Sequence, residues 1–127
     1  MAQMILLVDD EINFRTILGR VLTAAGYGVV AAADGAEGLR LFSERAPDLV
    51  VLDGQLPDID GFEVCRRLRA TTRGAKVPIL MCTVRSGLSI VSAGFDAGAD
   101  GYLLKPFETK ELLEKISEAL DRAGKGA

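Results

Sequence analysis

The sequence predicts an α/β domain built on a five-stranded parallel sheet, and three observations support this fold class. Five short apolar runs, each a candidate strand, alternate with segments whose apolar residues recur at helical spacing. Strands that alternate with helices form parallel sheets, and right-handed crossovers place the helices on both faces. The chain of 127 residues is long enough for one domain with a continuous core. We therefore expect a single, doubly wound domain.

The first half of the chain contains three predicted strands. A compact apolar run over residues 4–8 is followed by helical spacing over residues 12–25. The second strand, over residues 29–33, is weaker because alanine packs little. Asp34 is the expected N-cap of the next helix, which should end before the following proline. Residues 49–52 then form the third strand, which is apolar throughout.

The second half repeats this alternation. A helix is predicted over residues 62–71 and a strand over residues 79–82. The next helix, over residues 86–99, contains three glycines and one charged residue, so its stability must come largely from packing. The last strand covers residues 102–104 and stops at Lys105-Pro106, because proline cannot continue the hydrogen-bond ladder.

The final helix sets the predicted domain boundary. It is amphipathic, with Thr109 as its expected N-cap. We predict that residues 1–122 form the domain and that residues 123–127 are a tail or the start of a linker. No internal repeat or low-complexity block interrupts the chain.

Composition narrows the function classes. A net charge of −3 and a pI near 5.0 argue against a nucleic-acid surface, which needs a basic stripe. Histidine is absent, which removes the commonest general base and metal ligand. Cys65 and Cys82 form no metal or disulfide motif, and no apolar stretch approaches membrane-spanning length. We therefore expect a soluble cytoplasmic domain that binds neither nucleic acid nor membrane.

Polar residues follow four of the five predicted strands. Asp9 and Asp10 follow the first strand, Asp53 the third, Thr83 the fourth and Lys105 the fifth. In doubly wound sheets, ligands bind at the carboxyl ends of the strands, where the strand order reverses. A flavodoxin-like order of 2-1-3-4-5 would make strands one and three central neighbours. That order predicts one pocket that holds all three carboxylates.

Three close carboxylates need a cation, and the chemistry of the pocket selects it. Oxygen ligands without histidine or thiolate favour a hard ion, and Mg²⁺ fits best, with calcium or manganese as substitutes. With the metal bound, Asp53 is a candidate nucleophile toward a phosphoryl group. Lys105 can balance the added charge, and the Thr83 hydroxyl can donate a hydrogen bond to a phosphate oxygen. Individually, these residues also fit helix caps or a surface cation.

The chain closely resembles response-regulator receiver domains, the phosphoacceptor half of two-component systems. The resemblance spans nearly the entire chain and includes the aromatic residue Tyr102 and the Lys105-Pro106 pair. The matching stretches are Val8-Asp9-Asp10-Glu11, Leu52-Asp53-Gly54-Gln55-Leu56-Pro57 with Asp60-Gly61, Thr83, and the run from Ala97 to Phe107.

The resemblance implies specific roles at the acidic pocket. Asp53 would accept a phosphoryl group from the phosphohistidine of a sensor histidine kinase or a histidine phosphotransfer protein. Asp10, Asp53 and the backbone carbonyl of Gln55 would ligate Mg²⁺, with Asp9 acting through a water molecule. A domain of this kind promotes its own phosphorylation and dephosphorylation and is not a conventional turnover enzyme.

The resemblance also implies a switch. Lys105 and Thr83 would contact the phosphoryl group, and the Lys105-Pro106 bond would be cis. Tyr102 would move inward as Thr83 turns toward phosphate, which changes the surface around the fourth helix and fifth strand. That surface would control a downstream output domain or protein, or a phosphorylation-dependent homodimer. Where the family usually has a small residue after the threonine, this chain has the branched Val84, which we expect to narrow access to the site.

Three alternatives fit the sequence less well or remain open. A metal-dependent aspartyl phosphatase would carry a second acid where Gln55 stands. A flavin binder would need a phosphate loop where Asp9, Asp10 and Glu11 would repel phosphate. A receiver-like interaction module that acts without phosphorylation would keep all of these residues, so the sequence leaves that alternative open.

Overall fold

The architecture was obtained as a computed structural model that describes residues 2–125, apart from the side chain of Lys125. It contains one five-stranded parallel sheet in the order β2-β1-β3-β4-β5, as the sequence predicts. The strands are β1 (Met4–Val8), β2 (Gly28–Ala32), β3 (Leu49–Leu52), β4 (Ile79–Thr83) and β5 (Gly101–Leu104). The helices are α1 (Ile12–Ala24), α2 (Gly35–Arg45), α3 (Gly61–Arg69), α4 (Leu88–Asp96) and α5 (Thr109–Lys125).

The sheet is buried on both faces, because side chains of successive strand residues point to opposite sides. In β1, Leu6 and Val8 belong to the core on the side of α2, α3 and α4. Ile5 and Leu7 belong to the core on the side of α1 and α5. The expected helices on both faces are therefore present, and strands β1 and β3 are apolar throughout.

The predicted bounds of helices α4 and α5 need correction. Helix α4 is shorter than the predicted 86–99, because Gly87 (φ +100°) precedes its first turn and Gly98 (φ +114°) follows its last. Thr109 is the first residue of α5 instead of its N-cap. Helix α5 extends through Lys125, so residues 123–125 of the predicted tail are helical, and residues 126–127 lie outside the described part.

Helix α2 begins with a reciprocal cap. The Asp34 carboxylate accepts a hydrogen bond from the Glu37 N–H (2.8 Å), which confirms the predicted N-cap. The Glu37 carboxylate in turn accepts one from the Ala33 N–H (2.7 Å).

Among the residues described, no helix is both long and apolar enough to cross a membrane.

Candidate functional site

Three carboxylates meet at the carboxyl edge of β1 and β3. These strands are paired so that Val8 lies beside Leu52, and the residues that follow them therefore emerge side by side. Asp9, Asp10 and Asp53 each place a carboxylate oxygen within 4.8 Å of the others. The pocket that strand order 2-1-3-4-5 predicts is therefore formed.

Lys105 reaches this cluster from the end of β5. Its Nζ lies 2.5 Å from Asp9 Oδ2 and 3.3 Å from Asp53 Oδ2, and it stands 3.9 Å from the centre of the Phe14 ring. Only 15% of the Lys105 side chain is exposed, so it is not the solvated surface cation that it could have been. The peptide bond between Lys105 and Pro106 is cis.

Burial and charge act together on this cluster. Burial raises the pKa of Asp9, and the hydrogen bond from Lys105 offsets this effect only in part. Burial also opposes the charge of Lys105, but the hydrogen bond to Asp9 and the charge of Asp53 raise the Lys105 pKa overall. The Lys105 ammonium therefore stays charged. Ionisation is less favourable for the buried Asp9 carboxylate than for an aspartate in water.

The loop after Asp53 supplies further oxygen atoms. The Gln55 N–H donates to Asp53 Oδ1 at 3.0 Å, which turns the chain back over the carboxylate. Within the described residues, the Gln55 carbonyl accepts no hydrogen bond from the protein. The carboxylates of Asp9, Asp10 and Asp53 form an oxygen-only cluster, which fits a hard divalent cation such as Mg²⁺. That the Gln55 carbonyl is a further ligand stays a prediction.

Thr83 is the last residue of β4 instead of the residue just after it. Its side chain is buried and accepts a 3.3 Å hydrogen bond from the Arg85 N–H. Helix α4 begins after Gly87 without a side-chain cap, so Thr83 is not the cap of that helix. Its hydroxyl proton remains free to be donated to another acceptor.

Tyr102 on β5 is half-buried. Its hydroxyl donates to the Arg85 carbonyl (2.7 Å), and its ring packs edge-on against Phe62 at 6.4 Å between centroids. Gly94 makes room for the ring, because a Cβ there would stand 2.8 Å from the Tyr102 ring. This half-buried aromatic therefore contacts α3, α4 and the loop after β4 at once.

Arg85 is a further functional candidate, and its sequence position shortly after Thr83 already predicts that it is a neighbour of the site. Its guanidinium donates to the Gly54 carbonyl at 2.9 Å, pairs with the Asp60 carboxylate at 3.1 Å and lies 4.2 Å above the Phe62 ring. These contacts join the loop after β4 to the loop that carries Asp53. The only sequence signal is its position two residues after Thr83, which does not indicate the direction of the side chain.

A groove of about 480 Å³ opens beside α1, and Lys105 belongs to its lining. Phe14, Val84, Lys105 and Phe107 contribute to its walls, and 60% of Val84 is exposed at its rim. Asp9, Asp10 and Asp53 do not line this groove, so the effect of Val84 on access to Asp53 stays a prediction. Both cysteines are buried free thiols, and burial raises the pKa of Cys82 to about 12, so it stays protonated.

A doubly wound sheet with three carboxylates and a lysine at its switch point defines a class of small phosphoacceptor signalling domains. Comparison with known proteins agrees with this class. Residues 5–117 match the family described as "Response regulator receiver domain". The chain therefore belongs to the response-regulator receiver domains of two-component systems.

Individual relatives support this assignment. The chain is 49% identical over 118 residues to "Response regulator MprA" of Mycobacterium sp. (strain KMS), covering 93% of this chain and 50% of the relative. A CheY-like receiver domain from Methanospirillum hungatei superposes with a TM-score of 0.94 at 31% identity, with both chains fully covered. The receiver domain of a sensor histidine kinase from Pseudomonas aeruginosa, solved with a magnesium ion in its active site cleft, gives a TM-score of 0.88 at 31% identity, covering 95% and 99%. The chain spans about half the length of the curated relatives that it matches.

Proposed function

We propose that Asp53 is the phosphoacceptor and that the surrounding residues transfer a phosphoryl group to it from a phosphohistidine on a partner protein. The observation that carries this proposal is the placement of Lys105 Nζ within 3.3 Å of Asp53 Oδ2 beside two further carboxylates. A carboxylate that is paired with a cation at an open strand edge can approach an anionic phosphoryl donor.

Each residue of the site would have a distinct role in the transfer of the phosphoryl group. An Asp53 oxygen forms the new P–O bond while the P–N bond to the donor imidazole breaks, and the departing nitrogen keeps the electron pair and takes up a proton. Asp10, Asp53 and the Gln55 carbonyl would hold Mg²⁺, and Asp9 would act through a water molecule. When bound, Mg²⁺ neutralises charge on the phosphoryl oxygens.

Two residues would receive the transferred group. Lys105 would keep its charge next to the phosphoryl oxygens after transfer, because the raised pKa favours the ammonium form. The Thr83 hydroxyl would donate to another phosphoryl oxygen and thereby pull on the loop that contains Arg85. Tyr102 hydrogen-bonds to that loop, so the movement would alter the surface formed by α4 and β5.

The partners follow from this chemistry. These 127 residues contain no histidine, so the donor phosphohistidine is assigned here to a sensor histidine kinase or a histidine phosphotransfer protein. The relatives are about twice as long as this chain, which supports a downstream output domain or protein as the recipient of the signal. A phosphorylation-dependent homodimer through α4 and β5 and a cytoplasmic location complete the proposal.

A labelling experiment tests the phosphoacceptor role. Phosphoramidate supplies a P–N bond, so the wild-type domain with Mg²⁺ should gain the mass of one phosphoryl group, whereas Asp53→Asn should gain none. Chelation of the metal should prevent the gain in the wild type. A domain that folds and binds its partners but never acquires the group would instead be a phosphate-independent interaction module.

A further inference from the structure

We propose that Asp58 is a positioning residue for the metal site, because its carboxylate fastens the loop that carries Gln55 to the first turn of α2. The proposal rests on the proposed function, in which the Gln55 carbonyl is a metal ligand. It adds that the affinity for a divalent cation depends on a side chain that does not itself touch the cation.

The fastening uses both oxygens of the carboxylate. Asp58 Oδ1 accepts from the Gly35 N–H at 2.8 Å, and Oδ2 accepts from the Ala36 N–H at 2.9 Å. Amide groups in the first turn of a helix have no partner within the helix, and this end of the helix dipole attracts negative charge. Hydrogen bonds from Ala36 and Gly35 hold the pKa of Asp58 below its usual range, so the carboxylate stays ionised at neutral pH.

Close packing between the first turn of α2 and the loop that carries Gln55 is a second, independent observation that this loop is held against the helix. A Cβ on Gly35 would lie 2.9 Å from Val64 Cγ2, 3.1 Å from Ile59 Cβ and 3.2 Å from Asp58 Oδ1. The first turn of α2 therefore packs so closely against the loop and α3 that a side chain at this position would force its neighbours to shift. The hydrogen bonds and the packing both locate the loop relative to α2.

The part of the loop between Gln55 and Asp58 has little other polar support. On its upstream side, the Gly61 N–H donates to the Gly54 carbonyl at 3.1 Å. In the described part of the chain, residues 56–58 make no backbone–backbone hydrogen bond. Leu56 packs against the core, but a hydrophobic contact does not fix the direction of the neighbouring carbonyl. Asp58 is thus the polar attachment that holds the peptide downstream of the proposed ligand.

Helix capping alone does not explain this arrangement. Helix α2 already has an N-cap, Asp34, whose carboxylate accepts from the Glu37 N–H. Asp34 and Asp58 therefore bring carboxylates to the same helix end, but only Asp58 belongs to the loop that carries Gln55. This pair provides a matched control, since each can be changed to asparagine with the same loss of charge.

The test is a magnesium titration followed by amide NMR on the wild type, Asp58→Asn and Asp34→Asn. We expect Asp58→Asn to weaken Mg²⁺ binding about tenfold, the lower end of the effect of residues that orient metal ligands. Asp34→Asn should leave the dissociation constant within about twofold of the wild type. The difference should persist in 1 M KCl, where the screening length is only about 3 Å.

A second measurement needs no metal. Without Mg²⁺, the amide protons of Gly35 and Ala36 should exchange faster in Asp58→Asn, while the rest of α2 stays protected. Equal weakening of Mg²⁺ binding by both substitutions, or no weakening by Asp58→Asn, would overturn the positioning role. A wild type without saturable Mg²⁺ shifts would refute the metal site of the proposed function itself, and this inference with it.

Discussion

The Tyr102 hydroxyl donates a 2.7 Å hydrogen bond to the backbone carbonyl of Arg85, so a ring on β5 is fastened to the loop that follows β4. The Arg85 side chain reaches the other way, to the Gly54 carbonyl and the Asp60 carboxylate. One residue thereby connects the proposed switch tyrosine with the loop of the proposed phosphoacceptor. Any movement of the loop after β4 must change the environment of the tyrosine.

Removal of the Arg85 side chain should release this connection. We expect Arg85→Ala to lower the free energy of unfolding by about 1–2 kcal/mol, because hydrogen bonds and a cation–π contact are lost. The Tyr102 ring resonances should broaden or shift at the same time. Arg40→Ala, which removes only exposed ion pairs on α2, should cost less than about 0.5 kcal/mol. Equal costs and an unchanged Tyr102 spectrum would contradict the connection.

Replacement of Lys105 tests whether its positive charge offsets the repulsion between the Asp9 and Asp53 carboxylates. Lys105→Met should lower the stability of the metal-free domain by about 2 kcal/mol, because it leaves Asp9 and Asp53 close together without their cation. The free energy of unfolding of Lys105→Met, measured in urea, should then rise more steeply with the concentration of Mg²⁺ than that of the wild type. The exposed Lys110 provides the control, since Lys110→Met should change neither quantity.

The raised pKa of Asp9 predicts a pH dependence with a definite sign. Below the ordinary aspartate pKa of 3.8, the carboxyl is neutral in both the folded and unfolded states and has no effect. As the pH rises from 3.8 through the raised pKa of the folded state, the unfolded state ionises first, so Asp9 increasingly destabilises the fold. The metal-free Asp9→Asn domain should therefore gain stability over the wild type across this window.

Comparison of the wild type with Asp9→Asn isolates the effect of the Asp9 carboxylate on the free energy of unfolding. Other carboxylates, such as Glu63 with its lowered pKa, change stability in the opposite direction but contribute equally to both proteins. Urea unfolding of each protein at several pH values, with the metal chelated, gives the difference directly. A difference that does not grow with pH would show that burial of Asp9 is not the dominant influence.

The order of the sheet was predictable from sequence, because it depends on short-range patterns and a general rule. The apolar runs at 4–8 and 49–52 are bounded by polar residues, and both strands begin and end where the pattern predicts. Strand order then brings Asp9, Asp10 and Asp53 together, since residues that follow neighbouring parallel strands emerge at one edge.

The remaining features depend on side-chain direction and tertiary contact. The side chains of Arg85 and Asp58 bind partners that are 22 to 31 residues away in sequence. The direction of a loop side chain cannot be predicted from local periodicity. Helix α4 is shorter than its pattern predicts, because a segment rich in glycine leaves its boundaries to packing. Helix α5 begins one residue earlier than its predicted cap implies, since threonine fits both the cap and the first turn.

Gly61 should be intolerant of any side chain. A Cβ at this position would lie 2.0 Å from the Asp53 carbonyl oxygen and 2.6 Å from Gly54 Cα, and these backbone atoms cannot move without moving the loop of the proposed phosphoacceptor. Gly61→Ala should cost at least about 3 kcal/mol in urea unfolding. A Cβ on Gly19 in α1 would meet no neighbour within 4 Å, so Gly19→Ala should stabilise the domain by about 1 kcal/mol. Similar effects of the two substitutions would contradict this account.

Val84 should slow the loss of the phosphoryl group from Asp53. It is 60% exposed and lines the same groove as Lys105, and we expect its two methyl groups to restrict the approach of water to Asp53. Val84→Ala should therefore accelerate dephosphorylation, by roughly threefold if water access limits hydrolysis. The decay of the phosphorylated domain, followed by intact mass after removal of the donor, measures this rate. Leu88 is 90% exposed on the neighbouring helix and is absent from the groove lining, so Leu88→Ala should leave the decay unchanged. An unchanged decay in Val84→Ala would mean that hydrolysis is controlled by the residues that contact the phosphoryl group and not by access to it.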